Sequence, residues 1–374
     1  MRILMVLACV LAVATVQASE RPRAREAGVV IGTMPTGQLN AIVDVPDVRV
    51  GHTTVVEGDS VRTGVTAILP HGGNLYAERV PAALFVANGY GKLLGVTQLR
   101  ELGELETPIL LTCTLCVWKA ADALVEWQLS QPGMERVRSL NAVVGETNDG
   151  FLNDIRSRPL RAEHVRAALE SASSTNVEEG AIGAGTGTVA FGWKGGIGTS
   201  SRVTPDGHVV GVLVQSNFGG SLVVAGVPVG RELPDPATLA DSVEAPVPDG
   251  DGSIMIVVAT DAPLGPRQLE RLALRATVGL ARTGSSMSNG SGDYVIAFSN
   301  AESVRRHQGD SVHQAPMLDN DAMDALFVGV AEATEEAILD SMFKAEGMRG
   351  NRGAVPALPV DEVVRLLRDR PSSD

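Results

Sequence analysis

A serine directly after a glycine, on the border between a polar connector and an apolar run, is the pair in this sequence best placed for covalent chemistry. Asp249-Gly250-Asp251-Gly252 leads into Ser253 and then into Ile254-Met255-Ile256-Val257-Val258-Ala259-Thr260. Pro234, Pro236, Pro246 and Pro248 break regular structure upstream and predict a solvent-exposed loop. The β-branched run after Ser253 predicts a core strand. A Gly-Ser bond on such a border is open to attack by its own hydroxyl. The cut would leave Ser253 as a new N-terminus, with nucleophile and amine on one residue. A free α-amino group titrates near 8, so a useful fraction is neutral at ordinary pH and can accept the hydroxyl proton (pKa about 8). The same dipeptide also fits an ordinary loop-to-strand transition, so the rest of the chain has to decide.

Three further sites supply what a serine nucleophile needs. Ser291 and Asp293 lie two apart where a Gly/Ser loop enters a strand, and in extended chain such residues project to the same side. The serine would relay or orient and Asp293 would hold the new ammonium; a loop with a strand-starting Asp is the plainer reading. Asn217 follows a strand, in the turn Asn217-Phe218-Gly219-Gly220. Its amide is a candidate oxyanion donor, although asparagine in a turn is usually structural. Glu146, after the short run Val143-Val144-Gly145, is a candidate partner for a substrate ammonium, with a surface carboxylate as the default.

The elements that must position these residues are predicted as follows. Residues 39–55 alternate apolar and polar with turn signals at Pro46-Asp47 and Gly51-His52, and predict a hairpin. Strands are expected at 64–70, 82–87, 209–215, 254–260 and 293–299. Helical spacing covers 91–104, 117–129, 159–172, 266–282, 322–342 and 360–367. The glycine-rich block 180–198 predicts tight turns beside a site, where backbone approaches backbone or ligand closely. Strands and helices interleave without a linker, so one α/β domain of layered sheets and helices is expected.

Several classes are excluded. The glycine block has Thr188 where a dinucleotide fingerprint needs its third glycine, and no G-K-S or G-K-T follows, so no cofactor is expected. There is no H-E-x-x-H and no G-x-S-x-G elbow, and the six histidines are scattered. Cys113-Thr114-Leu115-Cys116 is a lone C-x-x-C with no second pair, which favours two buried or disulfide-linked thiols over a metal site. A net charge of −13 argues against nucleic acid or an anionic membrane as partner. Met1-Arg2, the apolar stretch 3–16 and Val16-Gln17-Ala18 have the form of a secretory signal cleaved after Ala18. An exported soluble protein, periplasmic or secreted, is expected.

Many separate blocks resemble one family in the right order: Val48-Arg49-Val50-Gly51-His52, Asn88-Gly89-Tyr90-Gly91, Gly183-Ala184-Gly185-Thr186-Gly187, Lys194-Gly195-Gly196-Ile197-Gly198-Thr199-Ser200-Ser201-Arg202, Gly252-Ser253 with Val258-Ala259-Thr260-Asp261-Ala262-Pro263-Leu264, and Ala331-Glu332-Ala333-Thr334-Glu335-Glu336-Ala337. The chain is similar over about residues 39–353 to the L-aminopeptidase/D-esterases and β-peptidyl aminopeptidases, self-processing N-terminal-serine peptidases. The resemblance implies cleavage between Gly252 and Ser253, giving chains 19–252 and 253–374, with Ser253 as nucleophile. It places Ser291 and Asp293 at the supporting serine and acid, Asn217 at the oxyanion asparagine and Glu146 near the substrate's amino end. It also implies a four-layer αββα sandwich, a homotetramer of two-chain units, and a small peptide or amide substrate with a free amino group. The C-x-x-C departs from the polar residues expected in that region. An acyltransferase resembling the ornithine acetyltransferases is a rival, though those use threonine; an exported ligand-binding protein without catalysis is another.

Overall fold

The computed structural model describes residues 21–239 and 252–369. The expected signal segment 1–18 and most of the connector before Gly252 lie outside these residues. In chain order the elements are β1 (Arg49–Glu57), β2 (Val61–Leu69), β3 (Glu78–Gly89), α1 (Val96–Leu102), β4 (Glu104–Leu105), β5 (Ile109–Cys113), α2 (Val117–Leu129), β6 (Val143–Thr147), α3 (Ala162–Glu170), β7 (Val189–Ala190), β8 (Trp193–Lys194), β9 (Ile197–Val203) and β10 (Val209–Asn217). There follow α4 (Pro236–Leu239), β11 (Ser253–Thr260), α5 (Pro266–Arg282), β12 (Gly292–Ser299), β13 (Arg306–His307), α6 (Asp324–Phe343), β14 (Met348–Arg349), β15 (Ala354–Val355) and α7 (Val360–Arg368).

Two sheets are stacked. One has the order β1-β2-β5-β6 and the other β13-β3-β12-β11-β10-β9, with β4 paired to β3. The alternate residues of the strands supply both faces of each sheet. Between the sheets, Val50, Ile68, Ile109 and Leu111 of the first meet Leu213, Met255, Val257 and Ile296 of the second. On its outer face the smaller sheet packs Val65, Ala67 and Leu110 against Ala120, Leu124, Val165 and Ala168 of α2 and α3. The larger sheet packs Val212, Ile254, Ile256 and Val295 against Leu269, Leu272, Ala333 and Ala337 of α5 and α6. This is the expected αββα order of layers, with each buried leucine contributing about 2 kcal/mol of transfer free energy.

The central strand β11 is buried along its whole length. It runs parallel to β12 and antiparallel to β10. A fully buried strand has no polar face, which is why Ile254 to Ala259 reads as a continuous apolar run. Its first residue, Ser253, is therefore held at a sheet end by neighbours on both sides.

The expected hairpin at 39–55 is not formed. Asp44 accepts the backbone N–H of Leu39 (2.9 Å) and Ala41 (3.0 Å) and the Ser201 hydroxyl (2.7 Å), which winds this segment into a short 3-10 turn at Ile42–Asp44. Gly51 does not turn the chain. It lies within β1, where a Cβ would sit 2.0 Å from the Ala168 carbonyl, so the glycine is there to admit α3. The predicted helix at 91–104 starts five residues late, at Val96, because Leu94 forms a bridge to Val144 of β6 and draws this segment into the sheet.

Candidate active site

The ends of β10, β11, β12 and β3 meet at one edge of the larger sheet, and β6 of the other sheet lies over them. Ser253 is the direct partner of Asn217 across β10 and β11 and of Gly292 across β11 and β12. Asp293 pairs with Asn88, and the register then slips, leaving Ala87 as a bulge on β3 beside the site. Asn88 fixes the loop before β12: its Nδ2 donates to the carbonyls of Asn289 (3.1 Å) and Ser291, while Tyr90 N–H also donates to Ser291 O (3.1 Å).

Ser253 Oγ donates to the carbonyl oxygen of Gly252 at 2.5 Å. The N–H of Gly292 points at both oxygens, 3.2 Å from Ser253 Oγ and 3.2 Å from Gly252 O. The Ser253 hydroxyl, the Gly252 carbonyl and a backbone donor thus share one point. Both glycines are required by close approach. A Cβ on Gly252 would meet Phe218 Cα at 2.4 Å and Asn217 O at 2.5 Å; one on Gly292 would meet Tyr90 O at 2.9 Å.

The i and i+2 spacing of Ser291 and Asp293 does bring them together, Ser291 Oγ donating to Asp293 Oδ1 at 2.6 Å. Oδ2 of Asp293 is buried with no hydrogen-bond partner. Burial pushes this carboxyl up to about 6, against the opposing pull of the Ser291 hydroxyl and the nearby Ile254 N–H.

Asn217 is the last residue of β10 rather than part of a turn. Its Oδ1 accepts the Val189 N–H at 2.9 Å and its Nδ2 donates to Asn148 O at 3.1 Å, which fixes the amide's orientation from both ends. Glu146 is not the default surface carboxylate: it is buried on β6. Oε1 accepts the Lys92 N–H at 2.9 Å and faces the Lys92 ammonium at 3.5 Å, while Oε2 is buried without a partner. A Cβ on Gly91 would lie 3.2 Å from Glu146 Oε1 and 3.4 Å from Gly292 Cα, so Gly91 lets the Glu146 carboxylate and the start of β12 approach each other.

Cys113 and Cys116 are joined by a disulfide. It closes the step from β5 into α2, and Thr114 inside it accepts a hydrogen bond from Lys92 Nζ at 2.7 Å. The Gly292 N–H is not legible in the sequence, because a backbone donor leaves no side-chain signature.

The model for peptidase family S58 matches residues 40–355. The chain belongs to peptidase family S58. Within that family it is 39% identical to the β-peptidyl aminopeptidase BapA of Sphingosinicella xenopeptidilytica, over 97% of this chain and 95% of that protein. Among solved structures it is similar to the β-aminopeptidase of a Burkholderia species (39% identity, TM-score 0.85, covering 94% of this chain and 100% of that one). It is also similar to the L-aminopeptidase D-Ala-esterase/amidase of Ochrobactrum anthropi (35% identity, TM-score 0.85, 93% and 98%), which is described as a variant of the Ntn-hydrolase fold. The S58 chain thus has an Ntn-hydrolase fold, in agreement with its layered sheets and helices.

Proposed function

We propose that this S58 peptidase is an aminopeptidase that matures by cutting itself between Gly252 and Ser253. The observation that carries the reading is the contact of Ser253 Oγ with the Gly252 carbonyl at 2.5 Å under the Gly292 N–H. Attack of Oγ on the Gly252 carbonyl carbon closes a five-membered ring through Cβ, Cα and N, an intramolecular geometry with a large entropic advantage. The C–N bond then breaks, the serine proton passes to the leaving nitrogen, and the chains are joined by an ester. Water hydrolyses the ester to the Gly252 carboxylate and a free Ser253 hydroxyl. The products are chains 19–252 and 253–374.

In turnover the free amine of Ser253 takes its own hydroxyl proton as Oγ attacks the first carbonyl of a substrate. The oxyanion falls to Asn217 Nδ2 and the Gly292 N–H. Its collapse breaks the substrate C–N bond, and the Ser253 ammonium gives its proton to the leaving amine. Water, deprotonated by the same Ser253 amine, then hydrolyses the acyl ester and returns the Ser253 hydroxyl. Asp293, supported by Ser291, holds the new ammonium in place. The substrate's own ammonium goes to the unpartnered Oε2 of Glu146, which restricts cleavage to free N-termini. The substrates are small peptides, amides or esters carrying β-amino, D-amino or small L-amino acids. What supports the substrate class is the company of β-peptidyl aminopeptidase and L-aminopeptidase D-Ala-esterase relatives. The disulfide and the apolar leader support export to an oxidising compartment. A homotetramer of two-chain units is the assembly we expect. Denaturing electrophoresis together with a panel of β-alanyl, D-alanyl, glycyl and L-alanyl anilides tests the reading. A single full-length band with no anilide hydrolysis overturns it.

A further inference from the structure

Lys194 is a lysine with no exposure at all, lying in β8 within the glycine-rich block. Its Nζ donates to the carbonyls of Gly195 (2.7 Å), Thr188 (2.9 Å) and Gly185 (3.0 Å). Burial pushes its pKa down to about 7, with Asp149 opposing. Three acceptors nevertheless require three N–H bonds, which the neutral amine lacks, so the group is an ammonium here. A buried charge satisfied only by backbone carbonyls fixes the backbone that carries them.

That backbone leads directly to Asn217. Lys194 is the register partner of Val189 in the two-strand ribbon β7–β8, and Val189 N–H is the donor to Asn217 Oδ1. Thr188, whose carbonyl Lys194 holds, immediately precedes Val189, and the Thr188 hydroxyl donates to Gly185 O at 2.9 Å to brace the same turn. On the far side, buried Asp149 packs against Gly187, where a Cβ would lie 3.1 Å from the Asp149 Cβ. Asn148, next to Asp149, offers the carbonyl that accepts from Asn217 Nδ2. The Oδ1 end of the Asn217 amide is therefore held by the register partner of Lys194, and the Nδ2 end by the chain neighbour of Asp149.

We propose that Lys194 is the positioning residue for Asn217: by pinning the 185–188 turn it keeps the Val189 N–H on Oδ1 and so keeps Nδ2 directed at the reacting carbonyl. This rests on the reading of Asn217 as an oxyanion donor. Lys194 touches no substrate and acts only through that amide.

A double-mutant cycle on the full chain tests it, combining Lys194→Gln with Asn217→Ala. The cycle is read first as the rate of conversion to two chains, then as kcat and KM of the cleaved fraction on an alanyl anilide. Lys194→Gln alone is expected to lower kcat about tenfold or more, with KM within about threefold, since loss of an oxyanion donor costs roughly 100-fold or more. In the Asn217→Ala background it should change neither rate further. A folded Lys194→Gln with unchanged rates, or a loss that multiplies fully with that of Asn217→Ala, overturns the proposal. Unchanged rates in Asn217→Ala itself would instead remove the oxyanion reading. If Lys194→Gln does not fold, Thr188→Val, which keeps the volume and removes the brace on Gly185, runs the same cycle with the same outcomes.

Discussion

Ser253 and Gly292 are direct neighbours in a parallel strand pair, and the Gly292 N–H lies 3.2 Å from the Ser253 hydroxyl oxygen. The same N–H reaches the Gly252 carbonyl oxygen. In the proposed self-cleavage, a donor on the Gly252 carbonyl oxygen stabilises the charge that develops there when the hydroxyl attacks. Because it is a backbone group inside a ladder of buried strands, it is already oriented before the reaction begins. In the mechanism we propose, the cut and the later turnover use one preorganised point rather than two.

Ser253→Ala removes only the hydroxyl from a buried strand end. The protein is expected to fold, remain one chain of 374 residues less any leader, and hydrolyse no anilide. Electrophoresis and a thermal melt check this together. Two chains from that variant would end the self-cleavage model.

Gly252→Ala tests the fit around the scissile bond. Its new methyl would press on Phe218 Cα and Asn217 O, both closer than van der Waals contact allows. The backbone at Gly252 must shift to relieve this, and conversion to two chains should slow about tenfold or more, the cost of misplacing one oriented donor. Normal processing in this variant would show that the fit around Gly252 is dispensable.

Asp293 gives the pH dependence. Its carboxyl is held at about 6 by burial in the uncut chain, above the value of about 4 it has when unfolded. The native state therefore keeps a proton that the unfolded chain has released, and stability of the uncut Ser253→Ala protein should fall as pH rises from about 4 through about 6. The rate of self-cleavage should rise over the same upper range, as the carboxylate that accepts from Ser291 forms. Asp293→Asn should abolish this rise, lower the plateau about tenfold, and melt above its parent near neutral pH, since it removes a buried charge with an unpartnered oxygen. Persistence of the same acid limb in Asp293→Asn would assign it to another group.

How far this was legible in the sequence depends on what each residue's signal is made of. The limits of α2 and α5 follow from local spacing and, for α5, from Pro266 at its first turn. The placement of Ser253, Ser291 and Asp293 was legible because a strand border sets the direction of their side chains. The 3-10 turn at Ile42–Asp44 was not, because one of the three donors that hold Asp44 is Ser201, far along the chain. Lys194 showed only as part of a glycine-rich block; its role depends on three carbonyls that the sequence does not name. The burial of Glu146 follows from stacking β6 over β11, where a Cβ on Gly145 would strike Met255, a contact between sheets that no local pattern encodes.

Glu146→Gln keeps the shape of the side chain and the Lys92 N–H contact at Oε1 while removing the charge. A charge-assisted hydrogen bond to a substrate ammonium contributes roughly 1.5–3 kcal/mol, so KM for an alanyl anilide should rise about tenfold or more with self-cleavage unaffected. An unchanged KM would take Glu146 out of substrate binding.

The disulfide extends that argument to the wall of the site. Thr114, held inside the Cys113–Cys116 loop, takes one bond from the Lys92 ammonium that faces Glu146. Cys113→Ala/Cys116→Ala leaves two buried methyls in place of the bridge and frees Thr114 to drift from Lys92. Closing so short a loop restrains the unfolded chain by only about 2 kcal/mol in the entropic picture, so the variant should still fold, with a melting point lower by several degrees. Lys92 would then lose its fixed acceptor and swing onto Glu146, competing with the substrate's ammonium, and KM for a free-amine anilide should rise severalfold while kcat holds. A lowered melting point with KM unchanged would make the disulfide a brace for α2 alone and detach Thr114 from substrate binding.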